Sequence, residues 1–174
     1  MMGLDITWHR CLSKASGNEG FDEHGEIRWA DGWVQFYVNP DFPGRADEIV
    51  DRAAYRSAES DGFRAGSYGG YNQWREQLAV LAGYPAAQYE KWGRSQDSHC
   101  VACWNGATGP FSELINFSDC EGVIGTSVSS KLARDFAEHQ SKADAHPDER
   151  FRERYALWRR AFEKASDRGC VHFH

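Results

Sequence analysis

The first and last segments of the sequence share a pattern in which side chains alternate with a period of two. Apolar and more polar residues alternate from Leu4 to Trp8, and again from Cys170 to His174. This period is typical of a strand with one buried face. A chain with a strand at each end and helical patterns between them is predicted to form an α+β fold. We therefore expect one domain over residues 1–174, with a small mixed or antiparallel sheet and three or more helices.

Helical patterns occupy the middle and the later part of the chain. Apolar residues three and four positions apart predict a helix from residue 71 to the Gly83-Tyr84-Pro85 stop, and a second over roughly 127–140. A longer helix is predicted from the Pro147-Asp148 cap signal to Gly169. Shorter helices are expected over 86–92 and 98–105.

Two further strands and several connections complete this outline. Alternating bulky residues predict a strand over 33–38, which the prolines and glycine of 39–44 must end. The apolar run from Glu113 to Phe117 predicts another strand. Residues 13–25 are polar and read as a loop, whereas 45–63 are compatible with either a short helix or a strand around Ala54 to Ser57.

Composition excludes several classes of protein. The formal net charge is -6, which argues against a general nucleic-acid binder because such proteins are basic. No run of residues is long and apolar enough for a membrane span, and Asp5 interrupts any leader-like stretch. We expect a cytoplasmic protein without a membrane partner. Oligomeric state and cofactors cannot be derived from the sequence.

A glycine-rich segment precedes the helix predicted at residue 71. Its glycines permit close backbone approach, and a helix start favours an anion through its unpaired N–H groups and its dipole. Arginines could pair with the anionic group, and tyrosines could stack on a ring. The alternative is a turn whose tyrosines belong to the core. The candidate ligand-binding residues are Arg64, Gly66, Ser67, Tyr68, Gly69, Tyr71, Asn72 and Arg75.

An acidic segment precedes the helix predicted over 127–140. Asp119 and Glu121 follow the apolar run ending at Phe117, where carboxylates often act as ligands or as a general base. Their carboxylates could accept hydrogen bonds from donors on a base or sugar. Alternatively, Asp119 only caps a turn and Glu121 is solvated.

Histidines and cysteines supply two further candidates. His172 and His174 share one face of the last strand, and His9 lies in the first, so pairing of the two strands would bring them together near Asp5. The spacing of Cys100 and Cys103 is compatible with two ligands of a zinc site, but the sequence has no second pair of cysteines with this spacing. We expect reduced thiols and no metal site.

Several segments of the chain resemble an uncharacterised family found in phages and in bacterial genomes, where prophages carry it. The resemblance extends nearly from end to end and includes the closing His172-Phe173-His174. It implies no fold, activity or catalytic residue, but it suggests an accessory or counter-defence protein that captures a host nucleotide signal. The segments that carry it are Gly3-Leu4-Asp5-Ile6-Thr7, Phe36 to Arg45, Phe63 to Asn72 and Leu114 to Gly125.

These observations lead to three functional hypotheses. The first is binding of a small anionic ring-bearing ligand, of which a nucleotide or nucleotide-derived signal is the main example. The second is a hydrolase or transferase, with or without a metal, that uses Asp119, Glu121 and a histidine such as His172. The third is a protein–protein antagonist that covers a host partner with exposed aromatic residues.

Overall fold

The computed structural model describes residues 3–119 and 122–174. Within them, seven strands and six helices alternate irregularly along the chain. Their order is β1 (Leu4–Lys14), a 3-10 turn (Trp29–Asp31), β2 (Val34–Gln35), β3 (Ala54–Gly66), α1 (Tyr68–Ala82), β4 (Ala87–Lys91), β5 (Arg94–Ser98), α2 (Val101–Trp104), α3 (Ser112–Ile115), β6 (Gly122–Ile124), α4 (Thr126–Glu138), α5 (Gln140–Asp144), α6 (Glu149–Ala165) and β7 (Cys170–Phe173).

Five of these strands form one antiparallel sheet in the order β2-β3-β1-β7-β6. The strands at the two ends of the described chain are neighbours, and Thr7 lies opposite His172. Strands β4 and β5 form a separate hairpin. The α+β class and the antiparallel sheet with terminal strands are therefore confirmed.

The main core lies between one face of the sheet and the helices. Three large rings at its centre stack on one another, with Trp158 of α6 at 5.5 Å from both Tyr71 and Trp74 of α1. All three are almost fully buried. The aromatic content of 14% thus serves this core first.

The three long helices agree with their predicted spans. Gly83 ends α1 in the left-handed conformation, and the carboxylate of Asp148 caps α6 by accepting from the N–H groups of Arg150 and Phe151. Both ends follow the expected capping chemistry.

Two short elements were predicted wrongly. Residues 86–92 form a strand and a turn instead of a helix, because Trp92 and Gly93, with φ of 52° and 70°, fold the chain back on itself. The run from Glu113 to Phe117 contains the helical turn α3 instead of a strand. A short apolar run that is buried on all sides has no period by which a helix and a strand can be distinguished.

Strand boundaries also differ from the prediction. β1 continues to Lys14, into the predicted loop, and β3 occupies the segment that was ambiguous. β2 is shorter than predicted, since Val38 leaves the sheet and donates its N–H to the Asp51 carboxylate at 2.8 Å.

Candidate functional site

A cavity of about 380 Å³ opens between α1, the β4–β5 hairpin, α2 and the loop after α3. It brings together three residues that the sequence placed in two separate segments. Asn72 and Arg75 come from α1, and Asp119 comes from the acidic segment. We call this cavity the hairpin cavity.

Arg75 is the most unusual residue of the hairpin cavity. Its side chain is only 5% exposed, yet it forms no ion pair with any described residue. Its Nη1 donates to the Ile115 carbonyl and its Nη2 to Asn72 Oδ1, each at 2.5 Å. Its Nε has no acceptor in the described part of the chain. A buried cation without a counter-ion is costly, so this position favours an anionic group nearby.

Asp119 is the second residue of the hairpin cavity with a polar atom that lacks a hydrogen-bond partner. Its Oδ1 is buried and has no donor among residues 3–119 and 122–174. The backbone adopts a φ of 51°, in the left-handed region that few non-glycine residues visit. Since the carboxylate can turn easily about its terminal torsion, either oxygen can face the cavity and accept a hydrogen bond from a bound molecule.

Two aromatic side chains line another part of the wall. Tyr89 of the hairpin meets Trp104 of α2 edge to face, with ring centroids 5.1 Å apart. Trp104 keeps 39% of its surface exposed although its ring already packs against Tyr89. Such a surface can stack on a planar ring.

The remaining polar residues define the charge of the hairpin cavity. Lys91 adds a second cation, and Asp97 and Glu76 add carboxylates. Burial disfavours the charged form of Glu76, but donation by the His99 N–H and the Ser98 hydroxyl lowers the pKa of its carboxyl below the ordinary value. Glu76 is therefore charged and already satisfied, and Asp97 is exposed to water, which leaves Asp119 as the carboxylate with a buried oxygen that lacks a donor.

Cys100 also lines the hairpin cavity but cannot act as a nucleophile there. Its burial, followed by the nearby Glu76 carboxylate, raises the pKa of the thiol to about 12. A thiolate is the reactive form of cysteine, so this thiol is inert near neutral pH. The four described cysteines form no disulfide with one another.

The rest of the predicted glycine-rich segment is distributed over other surroundings. Tyr71 lies in the core and donates its hydroxyl to the Phe117 carbonyl, so the expectation that it stacks on a ligand is wrong. Tyr68 packs against the same core. Ser67 caps α1 by accepting from the Gly70 N–H.

Arg64 and two glycines also lie away from the hairpin cavity. Arg64 belongs to β3, and its guanidinium lies directly over Gly3. Gly66 ends that strand with a φ of 115°, and Gly69 lies in the first turn of α1. None of the three lines the hairpin cavity. Glu121 lies outside the described residues.

The strand pairing on which the histidine prediction depends is confirmed, since β1 and β7 are neighbours in the sheet. His172 stacks on His174 at 4.7 Å, and Thr7 Oγ1 lies 2.9 Å from His174 Nε2. Both His9 and His172 meet the ring of Phe36 edge to face. No cluster of three His, Cys, Asp or Glu side chains in the described ranges could hold a metal ion. No histidine lines the hairpin cavity, so Asp119 and His172 do not meet there.

Sequence reasoning missed the residues that the hairpin contributes. Tyr89 and Lys91 lay in the helix wrongly predicted over 86–92, and Asp97 lay in a segment to which no element was assigned. The available signal was Gly93 alone, since a two-residue hairpin turn of this kind needs φ > 0 at both central residues and glycine adopts it readily at one of them. Trp104 was assigned to a helix but not to a site.

Comparison with known proteins adds no further constraint. No family model matches the sequence, and no curated protein or solved structure is similar to it at a significant level. No described helix has the length and apolar character needed to cross a membrane.

Proposed function

We propose that the protein binds a small anionic ring-bearing molecule, of the nucleotide class, in the hairpin cavity. The observation that carries this proposal is Arg75, a buried guanidinium on the cavity wall without a counter-ion among the described residues. An anionic group of the ligand would supply that counter-ion, and Lys91 would assist from the hairpin.

The other parts of the wall suit the remainder of such a ligand. Tyr89 and Trp104 offer a stacking surface for a ring. Asp119 would accept a hydrogen bond from an N–H or O–H group on the ring or on a sugar, and this bond would give its unpartnered oxygen a donor. The cavity volume of about 380 Å³ lies at the lower end of the range for small-ligand sites. Sequestration of a nucleotide-derived signal is also the role that the phage context of the resembling family suggests.

The first experiment compares the native mass spectrum of the gently purified protein with the spectrum after denaturation. A mass released on denaturation would identify the captured ligand. A panel of nucleoside monophosphates, dinucleotides and cyclic nucleotides is then titrated calorimetrically, and product analysis of the same samples detects any turnover. The proposal would be contradicted if the native mass equalled that of the protein alone and if no nucleotide of the panel bound.

Two matched pairs of variants assign the binding to the hairpin cavity. Trp104→Ala should weaken binding by roughly tenfold to a hundredfold, because base stacking on an aromatic ring is worth about 1–3 kcal/mol. Trp29→Ala, in the 3-10 turn and 59% exposed, changes a ring outside this cavity and should leave binding unchanged. Arg75→Gln should likewise weaken binding, whereas Arg94→Gln on an exposed strand should not. Equal affinities within both pairs would exclude this cavity.

A further inference from the structure

A second cavity lies on the opposite side of α1 from the hairpin cavity. Its residues on α1 are Gly70, Gln73, Trp74 and Gln77, whereas the hairpin cavity receives Asn72, Arg75 and Glu76. These two sets form separate stripes of a helix with about 3.6 residues per turn. The helix therefore stands between the two cavities. The second one, which we call the interhelical cavity, has a volume of about 630 Å³.

The wall opposite α1 is the first part of α6. Arg150 and Arg154 are four residues apart, so they lie on the same face of this helix, and both line the cavity. Neither forms an ion pair with any residue in 3–119 or 122–174. Arg154 is partly buried and makes one long hydrogen bond, from Nη1 to the Gly70 carbonyl at 3.3 Å.

The glycine-rich turn before α1 is shaped around Arg154. A Cβ added at Gly66 would lie 3.1 Å from Arg154 Nη2, and the φ of 115° at this position already favours glycine. The glycines that were predicted to bind an anion through their backbone thus leave room for the guanidinium of Arg154. An anion at this place would meet a side-chain cation as well as the start of a helix.

Trp74 provides an independent sign of a missing acceptor. It lines the interhelical cavity and is 1% exposed, and its single polar atom, Nε1, has no acceptor in the described structure. A buried N–H without an acceptor costs about 1–3 kcal/mol. An acceptor atom supplied by a ligand would remove this cost.

The carboxylates of the cavity do not fill this role. Asp148 already accepts from Gln77 Nε2 at 3.1 Å and from the N–H groups of Arg150 and Phe151. Its charge is therefore satisfied at the start of α6. Glu149 lies in the first turn and is exposed, so it is free to remain in water.

From these contacts we infer that the interhelical cavity is an oxyanion site, which binds a phosphate or carboxylate group between Arg154, Arg150 and the Trp74 N–H. The guanidinium of Arg154 would hold two ligand oxygens side by side. This inference does not depend on the function proposed for the hairpin cavity, since the two sites use opposite faces of α1.

The test is a titration of the ¹⁵N-labelled protein with inorganic phosphate and, separately, with acetate, at constant ionic strength. The signal of the Trp74 indole N–H, assigned by its loss in Trp74→Phe, should shift and saturate. Saturation with phosphate alone would identify a phosphate site, and saturation with acetate alone a carboxylate site. No saturable shift of this signal with either probe would overturn the inference.

Three variants on α6 separate a binding role from a structural one. Arg154→Gln should weaken binding at least about tenfold, because it removes a charge-assisted pair of hydrogen bonds. Arg154→Lys should have a smaller effect, since it keeps the charge but loses the planar group that can donate two parallel hydrogen bonds. Arg160→Gln, on an exposed part of the same helix, should bind like the parent protein. Unchanged affinity in Arg154→Gln, with a native circular dichroism spectrum, would refute the site.

Discussion

The two faces of the five-stranded sheet are built from the same strands but bury different chemistry. The face toward the helices buries apolar side chains from the terminal strands, such as Ile6, Trp8 and Phe173. On the other face, buried His9 and partly buried His172 both pack against the ring of Phe36. Alternation along each strand divides the residues in this way, because neighbouring side chains point to opposite faces.

The two faces should consequently respond to different perturbations. The helix face is held by burial of large rings, which does not depend on pH. On the other face, burial, followed by the neighbouring His174, lowers the pKa of His9 to about 4. Burial, followed by His174 and His9, lowers the pKa of His172 to about 3. Both histidines are neutral in the folded protein above those values.

The largest effect is expected on the helix face. Trp158→Ala removes the ring on which Tyr71 and Trp74 stack and should lower the free energy of unfolding by about 3–5 kcal/mol. Urea denaturation followed by circular dichroism measures this change. As a control, Trp92→Ala should change the stability by less than about 0.5 kcal/mol, since its ring is exposed. Equal losses in the two variants would contradict the stacked core.

The next effect is confined to the other face and appears as a pH dependence. Between pH 6.5 and 5 the unfolded histidines take up protons while folded His9 and His172 remain neutral, so stability falls as the pH is lowered. The loss should reach up to about 2 kcal/mol for each histidine in this window. Urea denaturation at several pH values gives the slope.

The slope itself is the readout of the histidine experiment, because a substitution can lower stability at every pH. The double variant His9→Gln/His172→Gln should flatten the dependence between pH 6.5 and 5. His24→Gln should leave it unchanged, since His24 is exposed. The same slope in all three proteins would show that other groups cause it.

The smallest effect concerns a single hydrogen bond on the histidine face. Tyr55 packs beside Phe36 and its hydroxyl accepts from the Val50 N–H at 2.9 Å. Tyr55→Phe should lower the stability by about 1 kcal/mol, because the N–H loses its partner while the ring remains. Thermal unfolding measures the shift, and it should be the same at pH 7 and at pH 5. A pH-dependent shift would instead couple Tyr55 to the histidines.

The parts of the fold that were predictable are those with a repeated local pattern. α1, α4 and α6 bury one stripe each, and Gly83 and Asp148 mark ends that depend on nearby backbone groups alone. The strand from Leu4 and the strand from Cys170 follow from alternation. The run around Ile115 lacks such a pattern, and its helical turn was missed.

The candidate site was predictable only in fragments. Residue type alone singled out Arg75 and Asp119, because a guanidinium can pair with an anionic group and a carboxylate can accept hydrogen bonds from a ligand. Residue type could not show that Arg75 is buried without a counter-ion, nor that Tyr71 belongs to the core. Trp104 and Tyr89 enter the cavity only because the hairpin folds against α2.

The sequence by itself determined the local elements of this protein: the capped helices, the alternating terminal strands and the acidic, thiol-bearing composition. The helices and the strands depend on interactions between residues close together in the chain, and the composition is read directly from the sequence. The tertiary structure alone decided that the two ends pair, that one helix separates two cavities, and that the glycine-rich turn faces Arg154. These contacts join residues far apart in the chain, and their free energy comes from packing and desolvation, which no local pattern encodes.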